Sequence, residues 1–548
     1  MTAGKTSGNK WLPVVVLGLA QFIMVLDTTV MNVSISTVVE DLNTTVTGLQ
    51  LAITSYALVM AAFMLTGGRI GDIFGRRRVF AVGLVVYGVG SLITSLSPNL
   101  TTLLFGWSLV EGLGATMVIP AIMALTAATY KGKERAMAYG VLGGIAGAGA
   151  AIGPLIGGAV TTYASWRYVF AGETVTVLIL LAVGMRYLPS PEATGGRIAP
   201  LEVAVTSIGM SCIVLGILKA SEWGFLSAIN PPEVAGRTIS PFGLSPTPFL
   251  VGLGGALLAL FMAIARKSEA KGGAPLASPK MLQLPRLRAG VAVTLLVQMA
   301  LGGLFFTLPV FLQVTLGKDA FQTGLQLIPL SVALVVASLA GATLASRRSA
   351  RLSVTLGFGL MGTGLLLLAQ FVSEDFSNLG FSIGMAVCGA GMGLVMSQTS
   401  NIVMSSVDDR ETGQAGGVQG TGLNLGMSLG TALIGAVLLA GLTTGFNNQI
   451  AQSSQLPEQV KQEIKKQTQA GVEIVPESAA VEAATKAGLP PQQVSDVANI
   501  YIDAQIRALR TAIGIAAIIA FGALFLCRRL DIETGQSPSE AGLEPASA

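Results

Sequence analysis

Long apolar windows recur along nearly the whole chain, and nothing else in the sequence constrains the fold as tightly. A helix needs about 20 predominantly apolar residues to cross a bilayer. Windows of that kind lie at 12–38, 48–67, 79–97, 101–125, 137–160, 168–187, 200–220, 247–266, 288–314, 322–345, 352–371, 379–404, 416–441 and 508–527. Backbone polar groups in hydrocarbon must be satisfied within the segment, so windows this long imply helices. The expectation is an all-α polytopic membrane protein with about fourteen transmembrane helices. Only 11% of the 548 residues are charged, against about 25% in a soluble domain. The first window is too long for the apolar core of a signal peptide and lacks a convincing cleavage site, so it is read as a span that stays.

Charge placement gives the orientation. Of 33 Lys and Arg, only Arg167, Lys219, Arg237 and Lys318 fall in the short loops of one side. A further five lie in the long segment 442–507, too long for the rule to count, with Arg510 just beyond it, and the rest lie at the other side or in the terminal tails. By the positive-inside rule the crowded side is cytoplasmic, and so are both termini. The chain is thus expected in the cytoplasmic membrane. Histidine is absent, which removes the usual near-neutral proton carrier and the commonest metal ligand. The three cysteines, Cys212, Cys388 and Cys527, are far apart and suggest neither a disulfide nor a metal site. Gly4-Lys5-Thr6 lacks the upstream glycine and strand of a phosphate-binding loop, so no nucleotide is implied. Basic residues sit at membrane margins and form no nucleic-acid face.

Between the second and third windows runs Gly68-Arg69-Ile70-Gly71-Asp72-Ile73-Phe74-Gly75-Arg76-Arg77-Arg78. Three consecutive arginines mark a water-facing turn, and Asp72 is close enough in sequence to pair with one of them. The spacing of Gly68, Asp72, Gly75, Arg76, Arg77 and Arg78 resembles motif A of the major facilitator transporters. The fifth window holds Gly149, Gly153 and Gly157 on one helical face, with Pro154 and Gly158 beside them. Small residues at that spacing let backbones approach closely. The run Gly-x-x-x-Gly-Pro-x-x-Gly-Gly resembles motif C of the facilitator antiporters, a motif associated with exporters. Ser165-Trp166-Arg167-Tyr168-Val169-Phe170 is similar to a stretch at the outer end of the sixth span in the same antiporters, with Arg167 expected to anchor at the interface.

The first window contains Leu26-Asp27-Thr28-Thr29-Val30-Met31-Asn32-Val33. An acid in mid-membrane is costly and marks a functional site by default. Thr28, Thr29 and Asn32 are the local candidates to hydrogen-bond it. The stretch resembles the first-helix motif of the fourteen-span drug:proton antiporters, and that resemblance implies a proton or cation site at Asp27. Two departures from the family pattern add acids. Ser108 stands where motif B has an arginine, and Glu111 where it has a glutamine; Glu173 stands where many relatives have asparagine. A carboxyl group away from water, with no obvious basic partner, suits reversible proton carriage, while a hydrogen-bond donor between helices is the plainer role. Gln298, Gln313, Gln398, Asn401, Gln419 and Asn424 supply amides in the second half, as cavity lining or as helix–helix hydrogen bonds.

A weak repeat links the halves. Gly341–Arg348 sits after the tenth window as the basic loop sits after the second, without its acid, and Gly422–Gly430 echoes the fifth window. The expected plan is 6 + 2 + 6 in a major facilitator fold. It comprises a tail at 1–11, a six-helix bundle at 12–187 and two additional helices with loops at 188–287. A second bundle at 288–530 includes the outer segment 442–507, and a tail follows at 531–548. Segment 442–507 shows helical stretches near 458–469, 479–487 and 491–507, consistent with a cap over the outer mouth or with a loop of no role. The resemblance implies a secondary transporter, not an enzyme. It would export hydrophobic or cationic compounds in exchange for protons, as a monomer in the lipid bilayer, without cofactor or nucleic acid. The rival expectations are export of a lipid or endogenous metabolite, and a non-transporting sensor or assembly module.

Overall fold

A computed structural model describes residues 10–190, 193, 199–234, 237–273, 275–347, 349–373, 379–407, 411–454, 456–468, 471–486, 489–528 and 530. Both terminal tails beyond those limits, and Arg348 of the second basic turn, lie outside the described residues. Among the described residues thirteen helices are long and apolar enough to cross a membrane, and counting two helices that meet at a 44° bend as one span gives fourteen. In chain order these are α1 (Leu12–Val33), α2 (Val46–Phe74), α3 (Arg76–Ser95), α4 (Leu100–Thr129), α5 (Gly132–Tyr163), α6 (Arg167–Tyr187), α7 (Pro200–Leu218) and α8 (Pro246–Ala270). Then come α9 (Pro285–Thr315), the bent α10 (Ala320–Gln326 with Ile328–Arg347), α11 (Ala350–Phe371), α12 (Leu379–Met404), α13 (Thr412–Gln452) and α14 (Pro491–Cys527). The spans follow the fourteen windows. Among the described residues, the only paired strands are the two-residue Glu233–Val234 and Arg237–Thr238, in the loop before α8.

Local chemistry sets the ends. Proline opens α1, α7, α8, α9 and α14, where its missing N–H costs nothing. The Thr45, Asn99 and Ser349 side chains accept from backbone N–H groups at the starts of α2, α4 and α11. Asp319 and Gln322 form a reciprocal capping box at α10. The turn between α2 and α3 is a single residue, Gly75, at φ +95°, a conformation that glycine adopts without strain.

Helices α1–α6 pack into one bundle and α9–α14 into another, and α2 lies along α13 at the junction. Helix α7 wedges against both α2 and α13: Met210 and Val214 join Leu58 and Ala61 in one apolar cluster, with Leu425 and Leu429 against it. Helix α8 packs chiefly on α7, by way of Gly209 and Gly254. Most of its surface is left to lipid.

The outer segment departs from the expected 442–507. Helix α13 runs on to Gln452, and the stretch expected as a separate helix at 491–507 is the start of α14, unbroken to Cys527. Only two short helices stand between them, Glu458–Gln467 and Glu477–Lys486. The connection is pinned to α14, where the Tyr501 hydroxyl donates to the Glu473 carbonyl at 2.7 Å and accepts from Val475 N–H at 2.9 Å. Ile474 inserts among Val310, Phe311, Leu438 and Leu442. These contacts belong to the second bundle, so among the described residues the segment is anchored on that half.

Candidate functional site

Four helices bring the mid-membrane acids together. Asp27 (α1), Glu111 (α4) and Glu173 (α6) are 0%, 0% and 2% exposed, and each offers an oxygen within 4.8 Å of the others. Close approach of α3 to α4 makes this possible: a Cβ at Gly90 would lie 2.6 Å from Glu111 Cα, and one at Gly114 would lie 2.7 Å from Tyr87 Cα. Helix α3 then supplies the donors for Glu173 Oε2, Ser91 Oγ at 3.3 Å and Tyr87 OH at 3.4 Å.

Asp27 is held differently from the local expectation. Thr28 and Thr29 donate back to carbonyls one turn earlier, Met24 at 3.3 Å and Leu26 at 2.8 Å, and Asn32 Nδ2 donates to the Thr28 carbonyl at 2.7 Å. Such back-bonding competes with any longer reach. Asn32 is also five residues on, about 140° around the helix, so its side chain points away from Asp27. The donor to Asp27 Oδ1 is Trp107 Nε1, at 2.8 Å. Tyr56 of α2 stacks on the Trp107 ring, with centroids 4.8 Å apart and planes 6° from parallel.

Trp107, Ser108 and Glu111 all lie in a π-helical stretch of α4, Leu104–Glu111. A π-turn rotates the residues that follow it relative to an α-helix, and such turns gather at functional sites. Ser108, at the position of the motif B arginine, donates to the Ala52 carbonyl of α2 at 2.8 Å and brings no positive charge. Asp27 Oδ2, both Glu111 oxygens and Glu173 Oε1 are buried without a hydrogen-bond partner. Three negative charges in that volume would repel one another strongly. Carboxyl oxygens so placed can share protons or take a small cation between them. The first-helix motif implies a proton or cation site at Asp27 alone, and the fold adds Glu111 and Glu173 to it.

The glycine motif works on two faces. Gly149 and Gly153 lie against Val25 and Thr29 of α1, and a Cβ at Gly157 would come 3.0 Å from Val30 Cα. Gly158 meets the Ala320 carbonyl of α10, while Gly324 of α10 meets the Pro154 carbonyl. Phe321 N–H donates to Thr162 Oγ1 at 3.1 Å, and Phe321 also packs on Tyr163. The motif therefore joins α1 on one side and the second bundle on the other. Nearby, Arg167 pairs with Asp41 and donates to the Ser97 carbonyl at 2.8 Å, with its guanidinium 4.5 Å from the Trp166 ring centroid.

At the opposite end of the bundle, Asp72 pairs with Arg76 (Oδ1 to Nη2, 3.1 Å), and Arg76 Nη1 donates to the Ala124 carbonyl of α4 at 3.3 Å. Asp72 thus sits in the last turns of α2 and not in a loop. Arg77 is half-buried and Arg78 exposed; Gly68 faces Pro120 of α4.

A profile described as Major Facilitator Superfamily matches residues 17–431. The chain belongs to that superfamily. It is 32% identical over 422 residues to a puromycin resistance protein of Streptomyces alboniger, covering 75% of this chain and 78% of the relative. It is 31% identical over 419 residues to a probable actinorhodin transporter of Streptomyces coelicolor, covering 75% and 69%. The facilitator fold is shared with a solved bacterial homologue of the human lysosomal transporter Spinster, captured inward-facing and unoccupied. That comparison gives a TM-score of 0.59 at 12% identity and covers 96% of this chain and 98% of the other. Human organic anion transporter MFSD10 follows at 0.54 and 13%, covering 95% and 100%. This facilitator therefore has the all-helical fold and the transporter family expected of it.

The buried amides make helix–helix hydrogen bonds away from the carboxyls. Gln313 lies in a second π-turn, Phe311–Thr315 of α9. It donates to the Val33 carbonyl at 2.7 Å and accepts from Ser36 N–H and Ser36 Oγ, each at 2.9 Å. Gln50 of α2, absent from the sequence-level candidates, donates to the Thr431 carbonyl of α13 at 3.0 Å. Ser428 of α13 donates to Thr54 O at 3.0 Å. Gln398, Gln419 and Asn424 bond within the second half, to Gly341 O, Ser400 Oγ and Gly420 O. A buried Gln on a span facing another bundle is the signal that would have marked Gln50.

Proposed function

We propose that this facilitator exports small hydrophobic or cationic compounds across the cytoplasmic membrane in exchange for protons, with Asp27, Glu111 and Glu173 as the shared proton site. The observation that carries the reading is the meeting of three buried carboxyls from α1, α4 and α6. No lysine or arginine pairs with any of them among the described residues. The relatives, named for puromycin resistance and actinorhodin transport, support a small organic substrate and an outward direction. Rocking of the two bundles would expose the site alternately to each side. The α5–α10 contacts would close one end, and the Asp72–Arg76 turn would brace the other. The chain needs no cofactor in this scheme, acts as a monomer and keeps both termini in the cytoplasm.

The test is dye efflux in reconstituted liposomes under an imposed proton gradient, comparing wild type with Asp27→Asn, Glu111→Gln and Glu173→Gln. Gradient-driven transport should vanish in Asp27→Asn and fall in at least one glutamate variant. A sodium gradient is the control for a different coupling cation. Equal transport by all four proteins, with and without the proton gradient, would sink the proposal.

A further inference from the structure

A cleft of about 740 Å³ opens between the start of α11 and the end of α14. It is far from the carboxyl cluster, at the same end of the bundle as the Asp72–Arg76 turn. Its walls divide by chemistry. Arg351 and Arg528 stand at the rim, where the two helices end, and Leu352, Phe521, Leu524 and Phe525 continue along the helices into the membrane-facing surface. Leu352 is 37% and Phe525 70% exposed, so the apolar wall faces lipid and not the bundle interior. The Arg528 guanidinium lies 5.6 Å from the Phe525 ring centroid, a stacking that holds the charge at the rim.

We propose that this cleft binds one anionic phospholipid. The headgroup phosphate would meet Arg351 and Arg528, and an acyl chain would lie along Leu352, Phe521, Leu524 and Phe525. The cleft is open, so it need hold only the headgroup and part of one acyl chain while the rest of the lipid lies in the bilayer. The charge suits it too. Arginine pairs well with phosphate, and this end of the bundle carries the dense basic residues that face an anionic leaflet. A soluble anion would use the two arginines but leave the exposed aromatic and leucine wall unexplained. The residues 531–548 that follow are acidic, with Asp531, Glu533, Glu540 and Glu544 and no Lys or Arg. They offer few apolar side chains to match that wall, which makes the lipid the better occupant.

The test uses the full chain in detergent, offered equal amounts of phosphatidylglycerol and phosphatidylcholine, with retained lipid counted by native mass spectrometry. Phosphatidylglycerol should be enriched at least about tenfold, the order expected of two arginines at a charged lipid surface. Arg351→Gln with Arg528→Gln should bring the two lipids to parity, and the lysine pair Arg351→Lys with Arg528→Lys should keep a preference. Arg288→Gln, at the same end on α9, should change nothing, and neither should removal of residues 531–548. Enrichment that survives loss of both arginines would overturn the proposal. So would enrichment that appears only once 531–548 are removed, because the tail would then be the natural occupant.

Discussion

Along the seam between α1 and α5, Gly149 and Gly153 face Val25 and Thr29; along the seam between α9 and α13, Gly422 and Gly426 face Val291 and Leu295. The two registers superpose step for step, so the place of Asp27 in the first half is held by Val293 in the second, and both are 0% exposed. One packing plan thus carries an acid on one side and an aliphatic side chain on the other. Close contact between first and fifth helices is the architecture, and the charge is a local addition to it. The acid is tolerated because α4 swells into a π-turn that delivers Trp107 as donor, while the second half spends its π-turn on Gln313, which reaches across to the first.

The sharpest break of this comparison is Asp27→Val, which makes the first seam a copy of the second. The helices should still pack, since valine fills the equivalent place at 293. Gradient-driven efflux in liposomes should fall to that of empty vesicles. Adding Val293→Asp should not restore it, because no tryptophan donor or partner acids have been placed around that position. Recovery in the double variant would mean that the charge, and not its setting, is what matters.

Next in size are the seams themselves. Gly153→Leu would drive a side chain into Thr29, and Gly426→Leu would meet the Leu295 carbonyl. Overpacking of this kind costs on the order of 3 kcal/mol. Both variants should therefore lower the melting temperature in detergent by similar amounts, although only one lies beside the acids. A large difference between them would show that the two seams are not mechanically equivalent.

Trp107→Phe is milder. It keeps the ring on Tyr56 and removes only the donor to Asp27 Oδ1. Hydrogen bonds to a group that can carry charge are worth about 1.5–3 kcal/mol, so efflux under the proton gradient should drop roughly tenfold or more with little change in melting temperature. An equal loss in Trp107→Phe and Trp107→Ala would assign the effect to the hydrogen bond, and a loss seen only in alanine would assign it to the stack.

What was legible in the sequence divides along the same line. Span number, the basic turn, the glycine faces and the mid-membrane acids follow from hydropathy and from residue types that lipid makes expensive. The partner of Asp27 did not, because the polar residues nearest it in sequence, Thr28, Thr29 and Asn32, turn their hydrogen bonds back on their own helix. Trp107 lies eighty residues away, and the π-turn that aims it has no periodicity to betray it. A clue was nevertheless present: an indole N–H at membrane depth needs an acceptor, and a buried carboxyl on another span is the strongest acceptor on offer. The edges of the outer segment are hidden in the sequence for a related reason. Polar residues at 442–452 look like loop by hydropathy, and those at 491–507 look like a helix separate from the last span, but helix continues wherever the backbone has no cause to stop, and Tyr501 and Gln505 are polar because they hold the Glu473–Val475 connection.

The smallest expected effect belongs to Gln313, and it tests whether the two halves are coupled through the helix that carries the acid. Gln313→Ala removes one bond to the Val33 carbonyl and two from Ser36, where α1 ends. Net loss should be about 1 kcal/mol, since these are bonds between neutral groups and Ser36 is only half-buried. That energy corresponds to roughly fivefold in a two-state equilibrium. It should appear as faster labelling of a cysteine placed at Thr162, whose hydroxyl meets Phe321 where α5 touches α10, in a background with Cys212, Cys388 and Cys527 changed to serine. Faster labelling with transport preserved would make the amide a latch on the outer end. Unchanged labelling with weakened transport would mean instead that the tie to α1 bears on Asp27, and that the second half contributes to the proton step through position and not through charge.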